Sequence, residues 1–215
     1  GVPMTIKEAF GVSGMHMTWG DPKLKSHIPN SNAVVVDRLI DSGVTLFGTT
    51  NVPLWLMDWQ TFNNLYGTTN NPWDLSRSPG GSSGGSAAAL AAGLSALDAG
   101  SDIGASIRSP AHYCGVYGHK PTFGILPTIG HDLPGYPKPL DILVVGPMAR
   151  SAQDLAMALN VMAGPSGEDA KAWGLQLPGP RHTKLSDYRI AIMKDSPVCK
   201  VDTDVMVQIQ IVADA

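Results

Sequence analysis

The sequence holds 215 residues, 43% hydrophobic and 15% charged, with a net charge of −3. A chain of that length can bury a substantial core, and one domain is the default expectation. With 15 Lys and Arg against 18 Asp and Glu, there is no electrostatic reason to expect nucleic acid or an anionic membrane as a partner.

Residues 2–7 read as a short strand that carries Lys7 at its end. Residues 15–29 are irregular and polar, with His16 and His27 on the surface. The run AVVVDRLIDSG places Val36, Leu39 and Ile40 at helical spacing and stops at Gly43, which predicts a helix. Residues 44–47 follow as an apolar strand ending at Gly48. Helix, glycine and strand in this rhythm predict an α/β fold with a mixed, mostly parallel central sheet flanked by helices. Residues 51–60 are bulky, and about half are expected in the core. Residues 65–73 form a turn-rich connection.

Residues 76–110 organise the rest. Gly80-Gly-Ser-Ser-Gly-Gly-Ser86 is dense enough in glycine to expose backbone N–H groups and to allow tight turns. An alanine-rich run follows without a polar spacer, so the loop reads as the entry to a helix over residues 86–97 rather than as a linker. No face of that helix carries charge, which predicts burial nearly all round. A second Gly/Ser-rich turn, residues 101–106, leads through Arg108-Ser-Pro-Ala into a helix whose first turn tolerates Pro110. The buried helix brings Ser82 and Ser106 within reach of each other. Asp102 and Arg108, the charged residues of this stretch, read as a pair holding the turn, with Ser83 as a supporting hydrogen bonder.

Residues 123–136 are Gly/Pro-rich and irregular. Ser151 caps a helix that runs to Gly164, with Leu155, Ala158, Leu159 and Met162 on one face. Residues 165–187 form an irregular excursion, residues 188–193 a strand, and the last dozen residues the start of a helix. Cys114 and Cys199 fit neither a metal spacing nor a disulfide framework, so two free thiols are the simplest expectation, with a single bridge as the alternative. No apolar run reaches membrane-spanning length and the start lacks a signal-peptide pattern, so a cytoplasmic protein with no membrane contact is expected.

The blocks PGGSSGGSAAALAAG and GSDIGASIRSPAHYCGVYGHKP, with GVPMTIK, TTNVP and NPWD around them, resemble the amidase signature family of serine hydrolases over residues 1 to about 165. The resemblance implies that this family's fold is incomplete here and that the chain is the central part of a longer, single-domain protein. It implies a catalytic set of Lys7, Ser82 (preceded by a cis peptide bond) and Ser106, with no cofactor and no metal. Ala105 departs from the family, which usually has glycine there. The segment of Met57, Asp58, Trp59 and Gln60 would border the acyl pocket.

The expected reaction is hydrolysis of a carboxylic amide, with esters as a second substrate class. Ser106 is the nucleophile, and the N–H groups of Ile103, Gly104, Ala105 and Ser106 form the oxyanion hole. Lys7 draws a proton through Ser82. At an ordinary pKa only about one lysine in 2,500 is neutral at pH 7, so burial must lower it by roughly three units. A Ser–His–Asp system using His112, His119 or His131 has no support from motif order. The loop at residues 80–86 lacks the lysine of a P-loop, and His112, Cys114 and His119 fit no common zinc spacing. The alternative to a stand-alone amidase is the amidase-type component of a tRNA-dependent transamidation complex, or a non-catalytic scaffold. A homodimer is left open. Asp58-Trp59-Gln60 is closer to stand-alone bacterial amidases.

Overall fold

The computed structural model describes residues 1–132 and 140–214. In chain order, β1 (Pro3–Lys7), α1 (Val34–Asp41) and β2 (Thr45–Thr50) are followed by a two-residue pair, β3 (Phe62–Asn63) and β4 (Gly67–Thr68). Then come α2 (Gly84–Ala91), β5 (Leu97–Asp102), α3 (Arg108–Cys114), β6 (Tyr117–Gly118), β7 (Val144–Ala149), α4 (Ala152–Met162), α5 (Asp169–Ala172) and α6 (Thr203–Asp214). Residues Gly1–Gln176 form one compact unit and Leu177–Ala215 a second.

Five strands build the main sheet in the order β2-β1-β5-β7-β6. β1 runs parallel to β2 and β5, while β7 is antiparallel to both β5 and β6. One strand of the five is therefore reversed, and the sheet is mixed and mostly parallel. Side chains alternate across a strand, and β1 uses this fully. Met4 and Ile6 enter a core with Val35, Val36 and Leu39 of α1 and Ala158 and Met162 of α4. The opposite face packs under α2 and α3, where Ala87, Leu90, Ile107, Ala111, Cys114 and Met148 cluster. That second face is where the polar members of β1, Thr5 and Lys7, point.

The helix expected over residues 86–97 is shorter. α2 ends at Ala91, Gly93 turns the chain at φ 73°, and Leu97–Asp102 becomes the central strand. LDAGSD has weak intrinsic strand preference, but β1 and β7 offer it ladder partners on both sides, and tertiary pairing overrides propensity. The strand expected over residues 44–47 continues through Gly48 to Thr50, because Thr5, Ile6 and Lys7 pair with Gly48, Thr49 and Thr50. β7 is a strand that the sequence pattern does not announce. Part of the irregular stretch 123–136, residues 133–136, lies outside the described residues.

Ser151 caps α4 as expected, accepting the Asp154 N–H at 3.0 Å. Arg38 of α1 closes that helix from its other end. Its guanidinium donates to the carbonyls of Met162 at 2.6 Å, Gly164 at 3.1 Å and Pro165 at 2.6 Å, satisfying orphan acceptors of a helix terminus.

In the second unit, the strand expected over residues 188–193 does not form. Ile190 and Met193 are exposed, and no ladder partner exists among the described residues to satisfy a strand's N–H and C=O groups. This unit instead holds α6 and a 3₁₀ turn at Leu185–Asp187. The Tyr188 hydroxyl accepts from the His182 N–H at 3.0 Å and donates to its carbonyl at 3.1 Å. Among the described residues no helix is long and apolar enough to cross a membrane.

Candidate active site

Lys7 ends β1, an interior strand between β2 and β5, with no solvent exposure. Its Nζ lies 2.6 Å from Ser82 Oγ and 3.0 Å from Ser101 Oγ. Burial pulls its pKa from 10.5 down to about 7, opposed in part by the carboxylates of Asp102 and Asp98. Ser82 belongs to the Gly/Ser loop that feeds α2, and the Gly81–Ser82 peptide bond is cis. The loop must be built from glycine: a Cβ at Gly81 would sit 2.5 Å from the Asp58 carbonyl, and one at Gly85 2.4 Å from the Asn51 nitrogen.

Ser106 follows β5 on the turn before α3. Ser83 joins this turn to the Ser82 loop, donating its N–H to the Ser106 carbonyl at 3.1 Å, and its Oγ accepts the Ser101 N–H at 3.4 Å. Ser82 and Ser106 line the same cavity, but their hydroxyls are not bonded to each other among the hydrogen bonds of the described residues.

Asp102 holds the nucleophile turn. Its side chain is fully buried and paired with Arg108 at 2.9 Å. It also accepts the N–H groups of Ala105 and Ile107 at 3.0 Å and of Arg108 at 3.3 Å. Burial alone would disfavour its charge, but the Arg108 guanidinium and these N–H groups win and hold the carboxyl below its usual range. One expected oxyanion donor is thereby lost. The Ala105 N–H is committed to Asp102, whereas those of Ile103, Gly104 and Ser106 have no partner among the described residues. Ala105 sits at φ 76°, the left-handed region that suits the glycine usual in the resembled family.

The cavity holds about 780 Å³. Trp19, Trp55, Leu56, Met57, Trp59, Ile103, Leu140 and Leu143 give it largely apolar walls, and Asp58, Asp132 and His131 also border it. Met57, Asp58 and Trp59, which the resemblance would set beside an acyl pocket, line this cavity, and Trp59 Nε1 donates to the Gly104 carbonyl at 2.9 Å. Gln60 does not reach the cavity lining; its amide turns to the Thr69 carbonyl at 3.3 Å. Backbone strain concentrates around this cavity. Of the five non-glycine residues with positive φ among the described residues, Trp19, Trp55 and Leu56 line it, and Ala105 and Ile142 adjoin lining residues. Such strain persists only where surroundings impose it.

Several contributors were missed from sequence. Ser101 bonds Lys7, and its only advance signal was its place in the GSD of the second loop. Glu8 is buried and accepts the Thr18 N–H and hydroxyl at 2.7 Å and the Trp19 N–H at 3.0 Å, fixing the loop that presents Trp19. Burial raises its pKa against those bonds. His131 is buried against Phe10 and Trp19. Burial, reinforced by Lys7, lowers it to about 3. Among the described residues neither ring nitrogen has a hydrogen-bond partner, and the ring, with its pKa that low, is neutral at pH 7 and bonds no serine. Among the described residues no group of three or more His, Cys, Asp or Glu is placed to hold a metal ion.

A mixed sheet with a glycine–serine loop and a serine turn at either end of its helix-to-strand unit is the architecture of the amidase signature fold. On superposition, the native peptide amidase from Stenotrophomonas maltophilia matches at a TM-score of 0.71 and 33% identity, over 83% of this chain and 36% of that one. The chain belongs to the Amidase family, whose model matches residues 1–215. It is 46% identical over 200 residues to a glutamyl-tRNA(Gln) amidotransferase subunit from Deinococcus deserti, covering 91% of this chain and 40% of that protein. With the corresponding protein of Sulfurisphaera tokodaii it shares 38% identity over 195 residues, again 91% and 40%. The chain therefore spans about 40% of the length of the curated relatives it matches.

Proposed function

We propose that the protein is an amidase that hydrolyses a carboxylic amide through an acyl-enzyme on Ser106. The observation that carries this reading is the fully buried Lys7, 2.6 Å from Ser82 Oγ, beneath a cavity that Ser82 and Ser106 both line. A dry lysine with a pKa of about 7 has a free amine at neutral pH, as a general base requires. Ser106 Oγ attacks the carbonyl carbon and passes its proton to Ser82 Oγ, whose own proton goes to Lys7 Nζ. The oxyanion is met by the N–H groups of Ile103, Gly104 and Ser106, each such donor being worth about 3 kcal/mol of barrier. As the tetrahedral species collapses, the C–N bond breaks and Ser82 returns a proton to the departing nitrogen. Water then releases the acid. The apolar walls favour a bulky, uncharged acyl group.

Treatment with a fluorophosphonate should phosphonylate Ser106, and Ser106→Ala should abolish the label. A label on a different residue of the wild type rejects the assignment. The second reading comes from the comparisons: one component of a glutamyl-tRNA(Gln) amidotransferase, as the names of the Deinococcus and Sulfurisphaera proteins read, and so dependent on partners. Release of ammonia from simple amides by the full chain alone favours the first reading, and turnover only with added partners favours the second.

A further inference from the structure

The residue after Lys7 carries a carboxyl group that the relay does not use. Glu8 follows β1 directly, its N–H donates to the Thr50 carbonyl at 3.0 Å, and only 2% of it is exposed. Its Oε1 accepts the Thr18 N–H and hydroxyl, both at 2.7 Å, and its Oε2 accepts the Trp19 N–H at 3.0 Å. The Thr18 hydroxyl oxygen in turn accepts the Gly20 N–H at 3.1 Å, so three successive backbone N–H groups end on Glu8 or on its partner. The Tyr66 hydroxyl adds a donor at 3.4 Å, and among the described residues no salt bridge includes Glu8. A carboxylate taken out of water without a cation is costly unless hydrogen bonds replace its hydration. An apolar side chain would fill the space at less cost, so what the carboxylate adds is a fixed backbone.

That backbone is cavity wall. Trp19 sits at φ 51° and Gly20 at φ 71°, and a residue as bulky as tryptophan stays in the left-handed region only where it is held there. The Trp19 carbonyl accepts the Trp55 N–H at 2.7 Å, and Trp55 and Leu56 continue at φ 56° and 60°. Leu56 packs on the cluster of Ala9, Met17 and Trp19. Trp19, Trp55 and Leu56 all line the cavity. Lys7 and Glu8 leave the same strand end, one bonded to the Ser82 hydroxyl and the other to this wall. Adjacent residues of one backbone therefore set the spacing between base and wall.

We propose that Glu8 is a specificity-positioning residue, holding Trp19, Trp55 and Leu56 as one wall against which a flat, bulky acyl group packs beside Ser106. This rests on the reading of the site as a serine amidase with Ser106 as its nucleophile. Glu8 touches no substrate and takes no proton in the reaction; it acts through the wall. Binding energy gathered on a rigid wall orients the carbonyl for attack, and a wall free to move gathers less of it. A small acyl group makes little contact with the wall and depends little on Glu8.

The test compares two activated esters with one leaving group, p-nitrophenyl acetate and p-nitrophenyl phenylacetate, on the full chain, with release by Ser106→Ala subtracted as the blank. Wild type should favour the phenylacetate in kcat/KM. Glu8→Gln keeps an acceptor for Thr18 but sets an amide NH2 opposite the Trp19 N–H. The ratio of the two kcat/KM values should then fall about tenfold, mostly through a higher KM for the phenylacetate. Thr18→Val removes the hydroxyl that joins Glu8 to Gly20 and should lower the ratio about threefold; it decides the matter if Glu8→Gln does not fold. Trp19→Ala removes the wall itself, so adding Glu8→Gln to it should change the ratio by about twofold or less. A merely structural role would lower both esters together, with no such dependence on Trp19. A ratio that keeps its wild-type value in Glu8→Gln, or a wild type that does not prefer the phenylacetate, overturns the assignment of Glu8 and leaves Ser106 as the nucleophile. No Ser106-dependent release from either ester removes the reading of the site and the role of Glu8 together.

Discussion

Burying a lysine should make this protein gain stability as the solution becomes alkaline, and the size of the gain follows from the structure. Lys7 titrates near 10.5 when unfolded and at about 7 when folded. Between those values the unfolded state binds the extra proton, so the free energy of unfolding rises with pH, by up to about 1.4 kcal/mol per unit. The cleanest window runs from about pH 7.5 to 9. His131 completes its folded-state titration well below this window, and Asp98, raised to about 7, is largely titrated by its lower end. The opposite contribution of Cys114, which burial raises from 9.0 to about 11, sets in at about pH 8 as the unfolded thiol begins to ionise and takes back about 0.4 kcal/mol by about pH 9. Across about 1.5 units the expected net gain is about 1.5 kcal/mol, which moves a urea midpoint up by about 0.7 M if the slope is about 2 kcal/mol/M. Urea titrations at half-unit intervals, on wild type and on Lys7→Met, measure this directly. The variant should lose the slope. A wild type whose stability is flat or falls over the window refutes the claim that Lys7 is dry.

Three further outcomes follow. Ala105→Gly relieves a Cβ held at φ 76°, a strain of about 1–2 kcal/mol, and costs roughly 0.5–1 kcal/mol in backbone entropy; thermal melts should show a small rise in Tm with Ser106 still labelled. Trp59→Phe deletes the donor to the Gly104 carbonyl and loosens the wall against the nucleophile turn, so KM should rise several-fold with a smaller change in kcat in steady-state assays. Arg38→Ala leaves three carbonyls beyond α4 without a donor and should cost about 2–3 kcal/mol in urea titrations, most of which Arg38→Lys fails to restore because an ammonium lacks the planar fork.

Local patterns that agree with the tertiary fold were readable from sequence. The alternation of Met4, Thr5, Ile6 and Lys7 and the spacing in α1 name their own buried faces. Ser151 with Asp154 three residues on marks the start of α4 as a cap would. The burial of α2 could be read from its lack of charge. What was missed depends on partners distant in the chain. Ala99 and Gly100 look helical or loop-like, yet β5 needs small residues because a Cβ at Gly100 would sit 2.7 Å from Ser83 Oγ. Pro147 argues against a central strand, yet it lies in β7 opposite Ala99. The loss of the Ala105 N–H to Asp102 was equally hidden, since sequence pairs Asp102 with Arg108 but says nothing of the backbone bonds gathered around that pair. Residues 188–193 have strand composition and no strand beside them.

Because Lys7 is anchored between β2 and β5 rather than on a loop, the amine cannot swing away while the rest of the sheet stays intact. Amide protons of residues 4–7 should exchange with solvent only through opening of the whole sheet. Heat or denaturant would then abolish turnover and melt the sheet in one and the same transition, with no inactive but folded species on the way.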